Sequence, residues 1–395
     1  MIFREVNDIF KSKSSLIIMG FILLLLLTGC SRIDESAIEN NSVIIAPGNL
    51  SVDTLKPMHD KKAIMVGEFP GTLEHQELLA ELVKTLHEER RIDSVILEDR
   101  HAYSWIFEDY VLGRIDDGLF TQNIFQKYEV FLEAIRNYNN ELSQEEKISV
   151  KSGDINFQHD QFLSSLQFMR RYLADREIIN RFLNRLRTTA DKKTELLEFK
   201  EFISEERPFT DEEDIDWNER IMNLIEIEID SMEPRERWQE DYVQAHQLRE
   251  EVLKKIASQE LNQDKRVLFN YGFNHAQKAH HFGTEKEWLG EFLTSHHPIS
   301  KDETYNLTLV PVSGELVAQS GNLREVDLFS DQLDQELLST TAELMGKENY
   351  IYLHLNPDKF SSDELKINLH FQQIEAVPYD LYDGFILIPR VTPNK

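Results

Sequence analysis

Four short apolar runs in this chain end on residues able to move protons. Ala63-Ile64-Met65-Val66-Gly67 runs into Glu68, Ser94-Val95-Ile96-Leu97 into Glu98, and Ile148-Ser149-Val150-Lys151-Ser152-Gly153 into Asp154. Arg266-Val267-Leu268-Phe269-Asn270-Tyr271-Gly272 leads through Phe273-Asn274 to His275. Carboxylates and an imidazole gathered in one cleft perform general acid/base catalysis, and like charges then raise one carboxylate pKa unless a cation or His275 lies between them. The same set could hold a divalent metal. An acid after a strand also caps the helix that follows, which is the structural alternative at each position taken singly. Glu68, Glu98 and His275 are the catalytic candidates, and Asp154, Tyr271 and Arg100 stand beside them as candidate ligand contacts.

Such residues need a scaffold that brings strand ends together. A short apolar run bounded by turn signals reads as a buried parallel strand. The stretch after Glu68 is helical, with Leu79, Leu82, Val83 and Leu86 on one stripe. Strands alternating with helices predict α/β architecture with a mainly parallel sheet, and ligands of such sheets sit beyond the strands' carboxyl ends. Strands are expected at 63–67, 94–98, 148–153, 266–271 and 306–311, with 385–388 joining them. Pro311 suggests an edge position for the fifth. His101 to Gly113 reads as a helix with a glycine stop. From 158 to 262 one helical pattern follows another, a helical insertion expected to form a lid or side wall over the site.

The chain has 395 residues, 41% hydrophobic and 29% charged, with a formal net charge of −28. That balance argues against nucleic acid, which requires lysines and arginines against its phosphates, and against adsorption to anionic lipid through a basic surface. Walker, G-x-G-x-x-G, G-x-S-x-G and H-E-x-x-H motifs are absent. His275 begins a segment containing His280, His281, His296 and His297, whose spacing does not bring them to one helical face.

The N-terminus carries an address. Arg4, Lys11 and Lys13 precede an apolar stretch from Leu16 to Leu27, too short for a membrane span, and Leu27-Thr28-Gly29-Cys30 matches a bacterial lipobox. Cys30 is the only cysteine. Cleavage before it and lipidation of its thiol would leave an envelope protein anchored to a membrane, its domain outside the cytoplasm. The expected division is a signal peptide over 1–29, a tether over 30–58 (with Val43-Ile44-Ile45-Ala46-Pro47 as a short edge strand) and one domain over 59–395.

Several motifs together resemble the erythromycin-esterase and ChaN/TraB/TIKI superfamily. They are Gly67-Glu68 with Gly71-Thr72 and Glu74, Leu97-Glu98, Asp109-Tyr110-Val111-Leu112-Gly113, Gly153-Asp154-Ile155, Asn270 through Ala276, and Tyr382-Asp383-Gly384-Phe385. Asn218-Glu219-Arg220-Ile221-Met222-Asn223 is more weakly similar to a helical motif of the esterase branch. The resemblance implies a mixed sheet flanked by helices, and two G-x-x-H motifs with glutamates between them. Gly272-Phe273-Asn274-His275 matches the second; in the first, Pro70 stands where histidine is expected. That histidine would be the general base in the esterase branch and a metal ligand in the TIKI branch, and His75 is the nearest substitute. The ChaN branch implies haem, which Tyr271, the histidines near 280 and the aromatics of 103–110 could serve. Two functions stay open: hydrolysis of an ester, lactone or peptide through Glu68, Glu98, His275 and His75, or non-catalytic binding of haem or another small ligand.

Overall fold

The computed structural model describes residues 35–394 except 70, 90, 116–125, 210–214, 263–264, 280–286, 318–321, 328–335, 362–366 and 369–374. The lipobox, Pro70, His280 and His281 lie outside the described residues. At the centre stands an eight-stranded sheet: β1 (Ser42–Ile45), β2 (Ala63–Glu68), β3 (Ser94–Arg100), β4 (Ser149–Asp154), β5 (Val267–Gly272), β6 (Thr304–Pro311), β9 (Tyr350–His354) and β12 (Gly384–Ile388), in the order β1-β9-β12-β6-β2-β5-β3-β4. Pairing is parallel from β12 through β4, and antiparallel where β9 meets β12 and β1. A hairpin of β7 (Ser313–Val317) and β8 (Leu323–Asp327), and the two-residue pair β10 (Ile367–Asn368) and β11 (Glu375–Ala376), lie outside the sheet. The fold is α/β with a mainly parallel sheet, as the alternating pattern implies.

Helices cover both faces. They are α1 (Glu35–Asn41), α2 (Leu73–Glu88), α3 (Ser104–Val111), α4 (Glu129–Asn139), α5 (His159–Met169), α6 (Arg176–Thr188), α7 (Lys192–Glu206), α8 (Trp217–Arg237), α9 (Tyr242–Leu261) and α10 (Glu336–Met345). Asp175, Asp191, Asp216 and Asp241 cap α6 to α9, each side chain accepting a first-turn backbone N–H. The acids of this stretch thus fix helix starts. Between β4 and β5 the described residues contain helices and no strand. Strand alternation splits the core in two. Ile64, Val66, Val95, Leu97 and Leu268 pack on one face with α2, α3 and α4, while Met65, Ile96, Phe269 and Tyr271 pack on the other with α9 and α10.

Two expectations are corrected. The stretch 35–58, read as tether, is part of the domain: Ile38, Ile45, Leu55 and Met58 are buried, and β1 closes the sheet edge. Its apolar residues are spaced for a short helix, a four-residue strand and a 3-10 turn, each too short to give a periodic signal. Pro311 does not mark an edge strand either. β6 lies between β12 and β2, but β2 pairs only as far as Thr308, so the missing proline N–H removes no bond on that side.

Candidate functional site

Glu68 ends β2, Glu98 lies in β3, and His275 follows β5, the strand between them. The three therefore share one rim, at the carboxyl ends of neighbouring parallel strands. By alternation, however, Glu68 belongs to the Val66 face and Glu98 to the Ile96 face. The two carboxylates consequently gather separate partners, each with its own histidine.

On the first face Glu68 is nearly inaccessible, at 2% exposure. Its Oε2 accepts from Asn270 Nδ2 at 2.6 Å and lies 3.3 Å from His75 Nε2. Its Oε1 accepts from the Tyr128 hydroxyl at 3.1 Å and faces Lys127 Nζ at 3.0 Å. His75 Nε2 is also 3.1 Å from Asn270 Oδ1. Burial alone would raise the Glu68 carboxyl; Lys127, His75 and Asn270 outweigh it and hold the pKa well below the usual range. Lys127 Nζ also donates to the Glu98 carbonyl at 2.8 Å. Its side chain is a third exposed, so it carries positive charge to the rim. The C-terminal tail pins its backbone, since Asn394 Nδ2 donates to the Gln126 and Lys127 carbonyls.

On the second face Glu98 Oε2 accepts the Gly272 N–H at 2.5 Å, and Oε1 accepts from Arg249. The same guanidinium forks onto Asp154, from Nε at 2.8 Å and from its terminal nitrogen at 2.6 Å. Burial pushes the Glu98 carboxyl up, but His275, Arg249 and Lys127 together bring it down to about 2. Arg249 in turn is held firmly charged by its carboxylates, against burial. His275 Nε2 stands 3.6 Å from Glu98 Oε1. Its Nδ1 stands 2.7 Å from Glu250 Oε1, whose other oxygen accepts the Leu289 N–H at 3.0 Å. Glu250 is fully buried behind the ring. Trp288 packs edge-on to His275 with centroids 5.3 Å apart.

The conditional expectation of a protonated carboxylate thus resolves through its exception: cations, Lys127 and Arg249, stand at both. The remaining four candidates fall in four places. His75 joins Glu68, and Asp154 joins Glu98 through Arg249. Tyr271 is fully buried and donates to the Gly153 carbonyl at 2.8 Å, leaving no open oxygen for a haem iron. Arg100 turns to its neighbour Asp99 at 3.1 Å and to the Tyr103 ring, away from both clusters. Among the described residues no group of three or more His, Cys, Asp or Glu is arranged to hold a metal ion. With both glutamates committed to cations, the residues present do not fit one.

Sequence reasoning missed Lys127, Tyr128, Asn270, Arg249 and Glu250. Two of these misses had a signal. Asn270 is a polar residue inside an otherwise apolar strand, and Arg249 interrupts the stripe of Ala245, Val252 and Ile256 on α9. A charge on a buried face calls for a buried partner.

No protein-family model matches the chain, and no curated protein matches it in sequence. Solved structures do. A protein from Bacillus cereus superposes with a TM-score of 0.67 at 12% identity, covering 91% of this chain and 97% of that one. A succinoglycan biosynthesis protein gives 0.69 at 13% identity, with 91% and 97% covered. A mutant of the erythromycin esterase EreC, in its open conformation, gives 0.65 at 11% identity, with 90% and 98% covered. The chain therefore shares, over nearly its whole length, the fold of an erythromycin esterase, as the motif resemblance implies.

Proposed function

We propose that this protein is a lipid-anchored envelope hydrolase that opens an ester or lactone by attack of a water activated at His275. The observation that carries the reading is His275 held between two carboxylates. Glu250 lies against Nδ1 at 2.7 Å, and Nε2 faces Glu98 at 3.6 Å. The charge of Glu250 beside Nδ1 favours the tautomer that carries its proton there, which leaves the Nε2 lone pair for the base the reaction requires. Pro70 cannot supply that base. His75 does not replace it, because its Nε2 is taken up by Asn270 Oδ1 at 3.1 Å and by Glu68 at 3.3 Å.

In this scheme Nε2 takes one proton from a water while its oxygen bonds to the substrate carbonyl carbon. Glu98 steadies the imidazolium that results. Lys127 has three N–H bonds; two serve Glu68 and the Glu98 carbonyl, and the third faces the developing oxyanion. Collapse of the tetrahedral adduct breaks the carbon–oxygen bond, and the leaving alkoxide recovers the proton from Nε2. The fold shared with an erythromycin esterase supports lactone or ester chemistry. No observation favours the haem reading once Tyr271 is seen closed in the core.

The lipobox Leu27-Thr28-Gly29-Cys30 supports anchoring through a lipidated Cys30. Full-length protein in detergent, incubated with p-nitrophenyl butyrate and with a macrocyclic lactone, should release nitrophenol and yield the ring-opened acid. No turnover of either would overturn the proposal. Fatty-acid labelling that survives Cys30→Ala undiminished would overturn the anchor.

A further inference from the structure

We infer that the β1 edge of the sheet lies on the membrane surface, with Val43 and Ile44 seated in the interface of a zwitterionic bilayer. β1 ends the sheet, bonded to β9 on one side only. Such edges are normally blunted by charge, proline or a covering element. Here two apolar side chains stand out instead, Val43 at 41% exposure and Ile44 at 55%. They are adjacent in sequence, so they flank the edge from both faces of the sheet.

Chain length says what covers them. The inference rests on lipidation of Cys30, and only Ser31, Arg32, Ile33 and Asp34 separate that residue from Glu35, where α1 begins. Five residue steps reach at most about 17 Å. Ala37 and Ile38 are buried, so α1 is fastened to the body and extends it rather than paying out more line. Its seven residues add about 10 Å. β1 follows directly, so its exposed pair is never more than about 35 Å along the chain from the acyl anchor. A domain moored this closely must lay some face on the bilayer, and the nearest face is the apolar edge. Charge selects the lipid. Cleavage before Cys30 removes three basic and two acidic residues, leaving a formal charge of −29, so the protein is repelled by anionic headgroups, and a second copy with the same charge is equally disfavoured as the partner of this edge.

Because Cys30 is the only cysteine and its thiol is lipidated, a thiol dye reports a single introduced position. Full-length Ile44→Cys, carrying an environment-sensitive nitrobenzoxadiazole dye, is reconstituted into phosphatidylcholine vesicles with and without brominated lipid. Leu197→Cys serves as control; it is 49% exposed on α7, in the helical block that follows β4 at the far end of the sheet. Brominated lipid should quench position 44 at least twofold and leave position 197 unchanged. Equal behaviour of the two, in protein shown by labelled palmitate to be lipidated, overturns the inference while leaving the anchor intact. Quenching at 44 that instead grows with protein density on plain vesicles would mean pairing between copies and also overturns it. Absence of palmitate label refutes the anchor itself, and the inference falls with it.

Discussion

His275 and Glu250 form a buried pair, Nδ1 to Oε1 at 2.7 Å, although the histidine follows β5 and the glutamate belongs to α9. The helical block therefore contributes more than cover. It supplies the group that orients the candidate base. Glu250→Gln keeps the shape but removes the charge that selects the tautomer. We expect kcat for p-nitrophenyl butyrate to fall about 10–100-fold, by analogy with the partners that orient metal-bound histidines, with KM little changed. A rise in KM alone, with kcat intact, would contradict the positioning role.

Glu68→Gln should weaken the fold more than it alters the substrate's surroundings. Lys127, Tyr128, His75 and Asn270 all converge on this carboxylate. Removing one partner of a buried ion pair costs ~3–5 kcal/mol. Lys127 is a third exposed and partly solvated, so we expect a loss of about 2–3 kcal/mol, read from urea unfolding midpoints. A midpoint unchanged from wild type would show that the cluster does not hold the rim together.

Acid should destabilise the protein through the same carboxylates. Glu68 and Glu98 have folded pKa values below their unfolded values, that of Glu98 reaching about 2. Their contribution is complete above the unfolded carboxylate pKa of ~4.3 and is lost as pH falls through the folded values. Urea midpoints should decline as pH drops below ~4.5. Glu98→Gln should start lower at pH 7 and decline less steeply. Parallel curves for the two proteins would remove Glu98 from the acid response.

Gly153→Ala tests how tightly the second face is built. A Cβ there would come within 2.5 Å of both Ile96 Cγ2 and the Tyr271 hydroxyl oxygen. Relief requires Tyr271 to leave the Gly153 carbonyl, and overpacking of this kind costs ~1–3 kcal/mol. Thermal unfolding should register that loss, along with an altered Tyr271 environment in near-ultraviolet circular dichroism.

The sheet was largely legible because its strands are apolar runs closed by turn residues, and β2, β3, β4, β5, β6 and β12 all declare themselves this way. β9 escaped although turn residues Gly346, Asn349, Asn356 and Pro357 bracket Tyr350-Ile351-Tyr352-Leu353-His354; it pairs antiparallel, outside the alternation of parallel strands and helices that identified the others. At the site, Glu68, Glu98 and His275 were visible because each follows a strand. Lys127 and Tyr128 were not, since they precede α4 and follow no strand. The division of the two glutamates between opposite faces was also hidden. It depends on strand parity at the rim, where an error of one residue reverses the side.

The central claim is that His275, and not His75, is the base. Its most direct measurement is kcat/KM for p-nitrophenyl butyrate in His275→Ala and His75→Ala, compared with wild type under identical conditions. General-base catalysis contributes ~10²–10⁴-fold, so His275→Ala should fall by at least ~100-fold. His75→Ala, whose lost Nε2 serves Asn270 and Glu68, should stay within about tenfold of wild type. Activity lost in His75→Ala but retained in His275→Ala would contradict the account.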